Sequence, residues 1–273
     1  MSSEIVSQQP GGLALPADMM AALAAEAKEV AAKERPAVAR ISLRSGIMSY
    51  QGNEMAGNKM QAVILASAFK NVLYTGAFDP DNIVSPDCFA FAENEEDLVP
   101  SANVREPRNA TCAGCRMLEW GTGKKSDGSP SRGKACKETR RLIVMPWTAV
   151  DAALTKGPDE ILKSELAILD VPVTSVQNYS TFVNVLATTA NVPPYAAMAE
   201  IMVVPDRKTQ FQVKFQPMRT LPNMEILQAV KRRVEDARKL VLEPYEESGA
   251  PVDKNDKVIP ADQRQAKPAK AKF

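Results

Sequence analysis

All four cysteines of this 273-residue chain fall in one window, at Cys88, Cys112, Cys115 and Cys136, and the chain has no histidine. A C-x-x-C pair flanked by one upstream and one downstream thiol is a ligand set for one tetrahedral zinc ion. With no imidazole to share the coordination, a site with four protein ligands is all-thiolate and uses every cysteine. A closed site of that kind leaves no position for water or substrate, so the Zn2+ it would hold is structural. Two disulfides, or four unrelated buried thiols, are the alternatives. Disulfides suit a secreted chain, and no signal peptide is visible. A Cys112–Cys115 redox pair would need a strand-then-helix apolar pattern that the neighbouring sequence lacks.

The absence of histidine excludes Ser-His-Asp and Cys-His catalysis and any His-ligated metal chemistry. Carboxylate and lysine chemistry remain open. Net charge is only +1, yet its distribution is uneven. Between Arg105 and Arg141 ten bases face four acids: Arg105, Arg108, Arg116, Lys124, Lys125, Arg132, Lys134, Lys137, Arg140 and Arg141 against Glu106, Glu119, Asp127 and Glu138. Glu93, Glu95, Glu96 and Asp97 precede that run. Around a zinc cluster this becomes an anion-binding surface; by itself it is also what a solvated face looks like. No apolar run reaches membrane-spanning length and the charge is nearly balanced, so a soluble cytoplasmic protein with no membrane partner is expected.

The elements that must position these residues read as mainly β with peripheral helices, an α+β chain. Residues 1–35 form an arm and an Ala-rich helix, the helix over 17–34 with Met20, Leu23, Ala27 and Val30 near one face. A strand with a bend near Gly46 covers 38–50, where Ile41 and Leu43 alternate with Arg40 and Arg44. Met60 to Tyr74 opens as a strand and continues as a second amphipathic piece, and 88–92 is a strand. Residues 93–137 lose hydrophobic periodicity, which argues against a packed segment unless a metal orders it. Zinc binding of about 10–16 kcal/mol in small peptides is enough for that. Strands are expected again at 141–145 and within 161–171, helices from Trp147 and over 174–189, and a hairpin at 197–204 and 209–217. A helix over 222–242 follows, striped by Ile226, Val230, Val234 and Val241. Residues 36–217 therefore form one β domain with a zinc-stapled insertion at about 93–137, followed by a helix within 218–244. A disordered basic tail is expected over 245–273. No internal repeat is present. A small Greek-key barrel fits better than a parallel sheet.

The ordered set Pro86-Asp87-Cys88, Cys112-Ala-Gly-Cys115, Trp120-Gly121, Gly133-Lys134-Ala135-Cys136-Lys137 and Arg140-Arg141-Leu142 resembles a family of single-stranded-DNA-binding proteins. That family is encoded by tailed phages and prophages, and its OB-fold carries an inserted zinc-binding segment. The likeness covers roughly residues 36–217 and is most specific over 86–142. It implies an OB-like barrel, non-catalytic single-stranded DNA binding in phage DNA replication and recombination, and proteins of those processes as further partners. One departure stands out. Many single-strand binders end in an acidic tail, whereas this chain ends Lys267-Pro-Ala-Lys270-Ala-Lys272-Phe273, a basic tail that would add to DNA affinity.

Binding single strands without sequence preference takes cations for phosphates and aromatic faces for bases. Trp120, beside a glycine in the basic segment, is the stacking candidate; its alternative is a cap over the cysteines. Lys124, Lys125, Arg132, Lys134, Lys137, Arg140 and Arg141 are the phosphate candidates, with Arg40 and Arg44 on the polar face of the first strand. Tyr50 and Tyr74, at strand ends, can stack or pack. Phe89, Phe91, Phe211 and Phe215 alternate within strands as core positions. Two rival functions remain. One is a zinc-ribbon adaptor for replication or transcription machinery, using the 17–34 and 222–242 helices as partner surfaces. The other is a metal-dependent nuclease using Asp79, Asp81 and Asp87, although Asp79-Pro-Asp-Asn82 reads first as a turn.

Overall fold

The computed structural model describes residues 38–76, 84–125 and 127–245, together with Met19, Met20, Leu23 and Glu26. The chain divides into two units, residues 1–37 and 38–273. In the first unit the four described residues are helical and exposed. The rest of the expected 17–34 helix, the turn at 79–82 and the tail beyond Tyr245 lie outside the described residues.

The second unit is mainly β, with helices laid on its sheet. Among the described residues nine strands form one mixed sheet: β1 (Ala39–Ser42), β2 (Ser49–Tyr50), β3 (Asn53–Glu54), β4 (Lys59–Leu73), β5 (Cys88–Ala92), β6 (Lys137–Pro146), β7 (Ala167–Val171), β8 (Ala197–Asp206) and β9 (Gln210–Thr220). The order is β3-β2-β1-β7-β6-β4-β8-β9, with β5 added on β4. Only β1 and β7 run parallel. The sheet curls. A Cβ added at Gly46, just after β1, would stand 3.4 Å from Cβ of Phe211 on the far edge strand β9. Gly46 has φ +75°, a left-handed conformation that costs glycine nothing and makes this the expected bend.

β4 carries the architecture. The sequence suggests a strand followed by a second piece, but Lys59–Leu73 is one 15-residue strand with an irregularity between Ile64 and Ala66. It pairs with β8 over its first residues, with β5 over its last, and with β6 along most of its length. Both faces are covered, which is why the run is apolar almost throughout rather than alternating. Met60, Ala62 and Ile64 enter the inner core with Leu142, Val144, Leu169, Ile201 and Phe215. Helix α3 (Val176–Val185) closes that core with Tyr179 and Phe182. Val63, Leu65 and Ala68 enter the outer core beneath α1 (Thr148–Lys156), α2 (Asp159–Lys163) and α4 (Met224–Val241).

An element boundary and the use of a helix face also differ from the sequence reading. Ile161 belongs to α2, not to a strand: the preceding Asp159 and Glu160 favour a helix start, and polar Lys163, Ser164 and Glu165 delay β7 to Ala167. The apolar stripe of α4 is no partner surface. Ile226, Ala229, Val230, Val234, Ala237 and Val241 are buried in the outer core, and each Ile or Val burial is worth about 1.5–3 kcal/mol. Asn223 caps the helix by accepting from the Ile226 N–H at 2.9 Å.

Where the outer face runs past its apolar core it holds a charge cluster on four neighbouring strands. Asp170 of β7 receives Lys70 of β4 at 2.8 Å, Arg40 of β1 at 3.1 Å and Arg141 of β6 at 3.6 Å. Arg141 also donates to the Glu243 carbonyl at 2.6 Å, and its guanidinium lies 4.0 Å from the Phe91 ring centre. Tyr245 packs edge-on to Phe89, with ring centres 5.0 Å apart. Burial alone would raise the Asp170 carboxyl, but Lys70, Arg141 and Arg40 outweigh it and hold the group well below the usual carboxylate range. Because the folded pKa is depressed, the stabilisation is present above the unfolded value of about 3.9 and is lost as pH falls through the lower folded value. Asp170→Ala leaves Lys70 and Arg141 buried without their counter-charge and should cost about 3 kcal/mol at pH 7 in urea denaturation. The difference from wild type should shrink below about pH 4, where the carboxyl protonates in the unfolded chain before it does in the folded one; a constant difference down to the acid limit would refute the ion-pair account.

Candidate metal and nucleic-acid site

The four cysteines, spread over 49 positions of sequence, line a single cavity of about 20 Å3. That is room for one water-sized guest. Cys88 opens β5 opposite Leu73 of β4. Cys136 directly precedes Lys137, the first residue of β6, which pairs with Val72. The sheet thus fixes two of the four. Cys112 and Cys115 come from the irregular segment, where backbone hydrogen bonds tie them to their surroundings. The Cys112 N–H donates to the Leu98 carbonyl at 3.0 Å, and the Cys115 N–H to the Cys112 carbonyl at 3.1 Å. Gly114, at φ +71°, supplies the left-handed turn that folds Cys115 back towards Cys112. The Cys136 N–H donates to the Met117 carbonyl at 2.9 Å, joining this turn to the start of β6.

All four thiols are free. Burial first, then the nearness of Cys112, Cys88 and Cys115 and of Glu138, pushes the Cys136 thiol up to about 12. Burial also raises Cys112, Cys88 and Cys115 add to that rise, and a hydrogen bond from the Asn71 side chain opposes it. The shifts describe thiols close enough to penalise one another's ionisation. Among the described residues no three His, Cys, Asp or Glu side chains form a ready metal-binding group; the four cysteines share the wall of one cavity. The donor set, four soft sulfurs around room for one ion, fits a zinc ion in kind and number. A dication there would offset both the burial and the mutual repulsion that raise Cys112 and Cys136.

Beyond the cysteines the segment forms a short ribbon. The Gly123 N–H donates to the Gly133 carbonyl at 2.8 Å, the Ser131 N–H to Gly123 at 2.9 Å and the Lys125 N–H to Ser129 at 2.8 Å. Gly123 packs so closely that an added Cβ would lie 2.8 Å from the Gly133 carbonyl oxygen. At its base Trp120 is 78% exposed and is absent from the cavity wall, so it does not cap the cysteines. The Lys134 ammonium lies 5.6 Å from the Trp120 ring centre and pairs with Glu138. Lys124, Lys125, Arg132 and Lys137 are exposed around the ribbon, and Lys137 donates to the Lys134 carbonyl at 2.5 Å.

The other expected contacts are dispersed. Arg140 and Arg141, neighbours in sequence, point to opposite faces of β6. Arg140 stacks on Phe69, 3.0 Å from its ring centre and half-buried. Arg141 is 2% exposed and serves the Asp170 cluster, so the basic run overstates the phosphate-facing surface by this residue. Arg40 also pairs with Asp170. Arg44 is exposed in the turn after β1. Tyr50 donates to Glu165 at 3.2 Å, and burial with that carboxylate raises its phenol to about 12. Tyr74 is half-exposed at the end of β4. None of Arg40, Arg44 and Tyr50 is gathered with the ribbon, because β7 separates their strands from β6. Asp87 accepts from the Thr75 N–H at 2.6 Å and hydroxyl at 2.9 Å, a turn-holding role; Asp79 and Asp81 lie outside the described residues.

The sequence reading missed Asn71, Lys70 and Asp170, and named Arg108 only as part of the basic run. Asn71 and Arg108 line the cavity, while Lys70 and Asp170 build the charge cluster. The available signal was the pair Lys70-Asn71 set inside an otherwise apolar strand. No family model, curated protein or solved structure matches the chain. Among the described residues no helix is long and apolar enough to cross a membrane.

The two tryptophans should separate cleanly in solution, since Trp147 is 4% exposed and Trp120 is 78% exposed. Acrylamide should quench one component strongly and the other weakly, and Trp120→Phe should abolish the strongly quenched one. Equal quenching of both would contradict the exposed placement of Trp120.

Proposed function

We propose that the chain binds single-stranded DNA without catalysis, on an OB-like barrel whose inserted segment is ordered by one structural zinc ion held by Cys88, Cys112, Cys115 and Cys136. The observation that carries this reading is Trp120: a large indole exposed over most of its surface, with a lysine over one face, amid exposed cations. An exposed tryptophan loses little by covering its free face with a nucleobase, and each base–aromatic stack is worth about 1–3 kcal/mol. Lys124, Lys125, Arg132 and Lys137 would neutralise phosphates and release counterions, so affinity would fall with salt. The curled, mixed sheet with one long strand paired on both sides supports a partly open barrel. Every base has a π face, so such a surface would be sequence-tolerant.

The zinc would be chemically silent, holding the C-x-x-C turn and the ends of β5 and β6 together. The adaptor alternative loses the 222–242 helix, whose stripe is used internally. The nuclease alternative loses Asp87 to its bonds with Thr75.

Fluorescence anisotropy with labelled oligo-dT tests the reading. Binding should weaken steeply with salt, and Trp120→Ala should weaken it by about 1–3 kcal/mol. Replacing Lys124 and Lys125 by Ala should lower the magnitude of the log–log salt slope by about 1.4, at about 0.7 per phosphate contact on single strands. Arg141→Lys should act through stability instead, leaving the slope unchanged. Absence of oligo-dT binding at low salt by zinc-loaded protein would overturn the proposal.

A further inference from the structure

Resting on the zinc reading, we propose that Asn71 is the positioning residue of the four-cysteine site: its side-chain amide donates to the Cys112 sulfur and ties the C-x-x-C turn to the sheet. Two of the four sulfurs need no such help, since Cys88 and the neighbour of Cys136 are paired with β4. Cys112 and Cys115 sit in the irregular segment. Asn71 stands where β4 is paired on both sides, opposite Ala90 of β5 and Glu138 of β6, so its backbone is among the most constrained near the cavity. It is 4% exposed. Asn71, Leu73, Cys88, Phe89 and Ala90 are the sheet residues on the cavity wall, and Asn71 is the one polar side chain among them besides cysteine.

A buried amide in an apolar strand is costly unless it is hydrogen-bonded. Cys112 stands on the same cavity wall and is the partner of the Asn71 side chain. An amide is suited to the task because it donates without adding charge. A carboxylate at this position would place a fifth negative group against four thiolates, and a lysine would compete with the metal. The residues facing the cavity from the other side, Arg108, Asn109 and Thr111, belong to the same irregular segment as Cys112 and cannot anchor it to the sheet. Removing an outer partner of a metal ligand typically lowers metal affinity 10–100-fold.

The test uses the full chain loaded with cadmium in its spin-half isotope, with isotope-labelled nitrogen. The expected result is a through-hydrogen-bond coupling between the metal and a side-chain amide proton of Asn71. In parallel, Asn71→Leu should still give a four-thiolate cobalt spectrum, with its sulfur-to-metal charge-transfer band moved to lower energy and zinc affinity reduced about 10–100-fold in chelator competition. A cadmium-loaded wild type without the coupling overturns this inference alone, and so does an Asn71→Leu protein with the wild-type band and affinity. If that variant does not fold, the wild-type coupling decides. A wild type that takes up no cadmium on its thiolates overturns the zinc reading, and this inference with it.

Discussion

Four thiols drawn around one small cavity repel one another as soon as they ionise, and the irregular segment depends on how that repulsion is resolved. Among the described residues between Ala92 and Lys137 there is no regular strand, only two single 3-10 turns and an isolated bridge between Lys124 and Pro130. Its apolar anchors are few: Leu98 and Val104 are buried, and Cys112 packs with Ala90, Ala92 and Phe69. So little apolar area cannot offset the conformational entropy of ordering some forty residues, at about 1–2 kcal/mol each for the backbone. A dication accepted by the sulfurs, as proposed, would turn mutual repulsion into common attraction and supply the missing free energy. The basic ribbon and Trp120 would then take their positions from that centre.

β4 connects the centre to the rest of the molecule. One strand contributes to the inner core, the outer core, the charge cluster and the cavity wall, through residues that alternate between its faces. Leu73 and Asn71 face the cysteines, Lys70 faces Asp170, and Ala62 and Val63 serve opposite cores. A side chain near the cavity is therefore held by pairing on both strand edges. The Asp170 cluster adds a second restraint across β1, β7, β6 and β4, and the carbonyl of Glu243 and the ring of Tyr245 close over it.

The parts legible in sequence were those fixed by local chemistry. The cysteine spacing brought four distant thiols into one set because a C-x-x-C turn has few geometries, and the structure places all four on one cavity wall. The alternation at Phe211, Val213 and Phe215 gave the β8–β9 hairpin, and the stripe of α4 gave its buried face. What stayed hidden depends on tertiary neighbours. Arg140 and Arg141 look alike in a basic run, and only the register of β6 sends one to Phe69 and the other beneath Tyr245. Asn71 reads as a polar interruption until the cavity is seen beside it. β4 resisted division because a strand covered on both faces has no period to read.

The central claim, that a metal held by the four cysteines orders the Trp120 segment, is most directly tested by hydrogen exchange of the zinc-loaded protein with and without a strong chelator. The account predicts that amides bonded within the segment, such as those of Cys112, Gly123 and Cys136, lose protection on chelation. Those of β4, β6 and α4 should keep theirs. Equal protection of the segment in both states would contradict it.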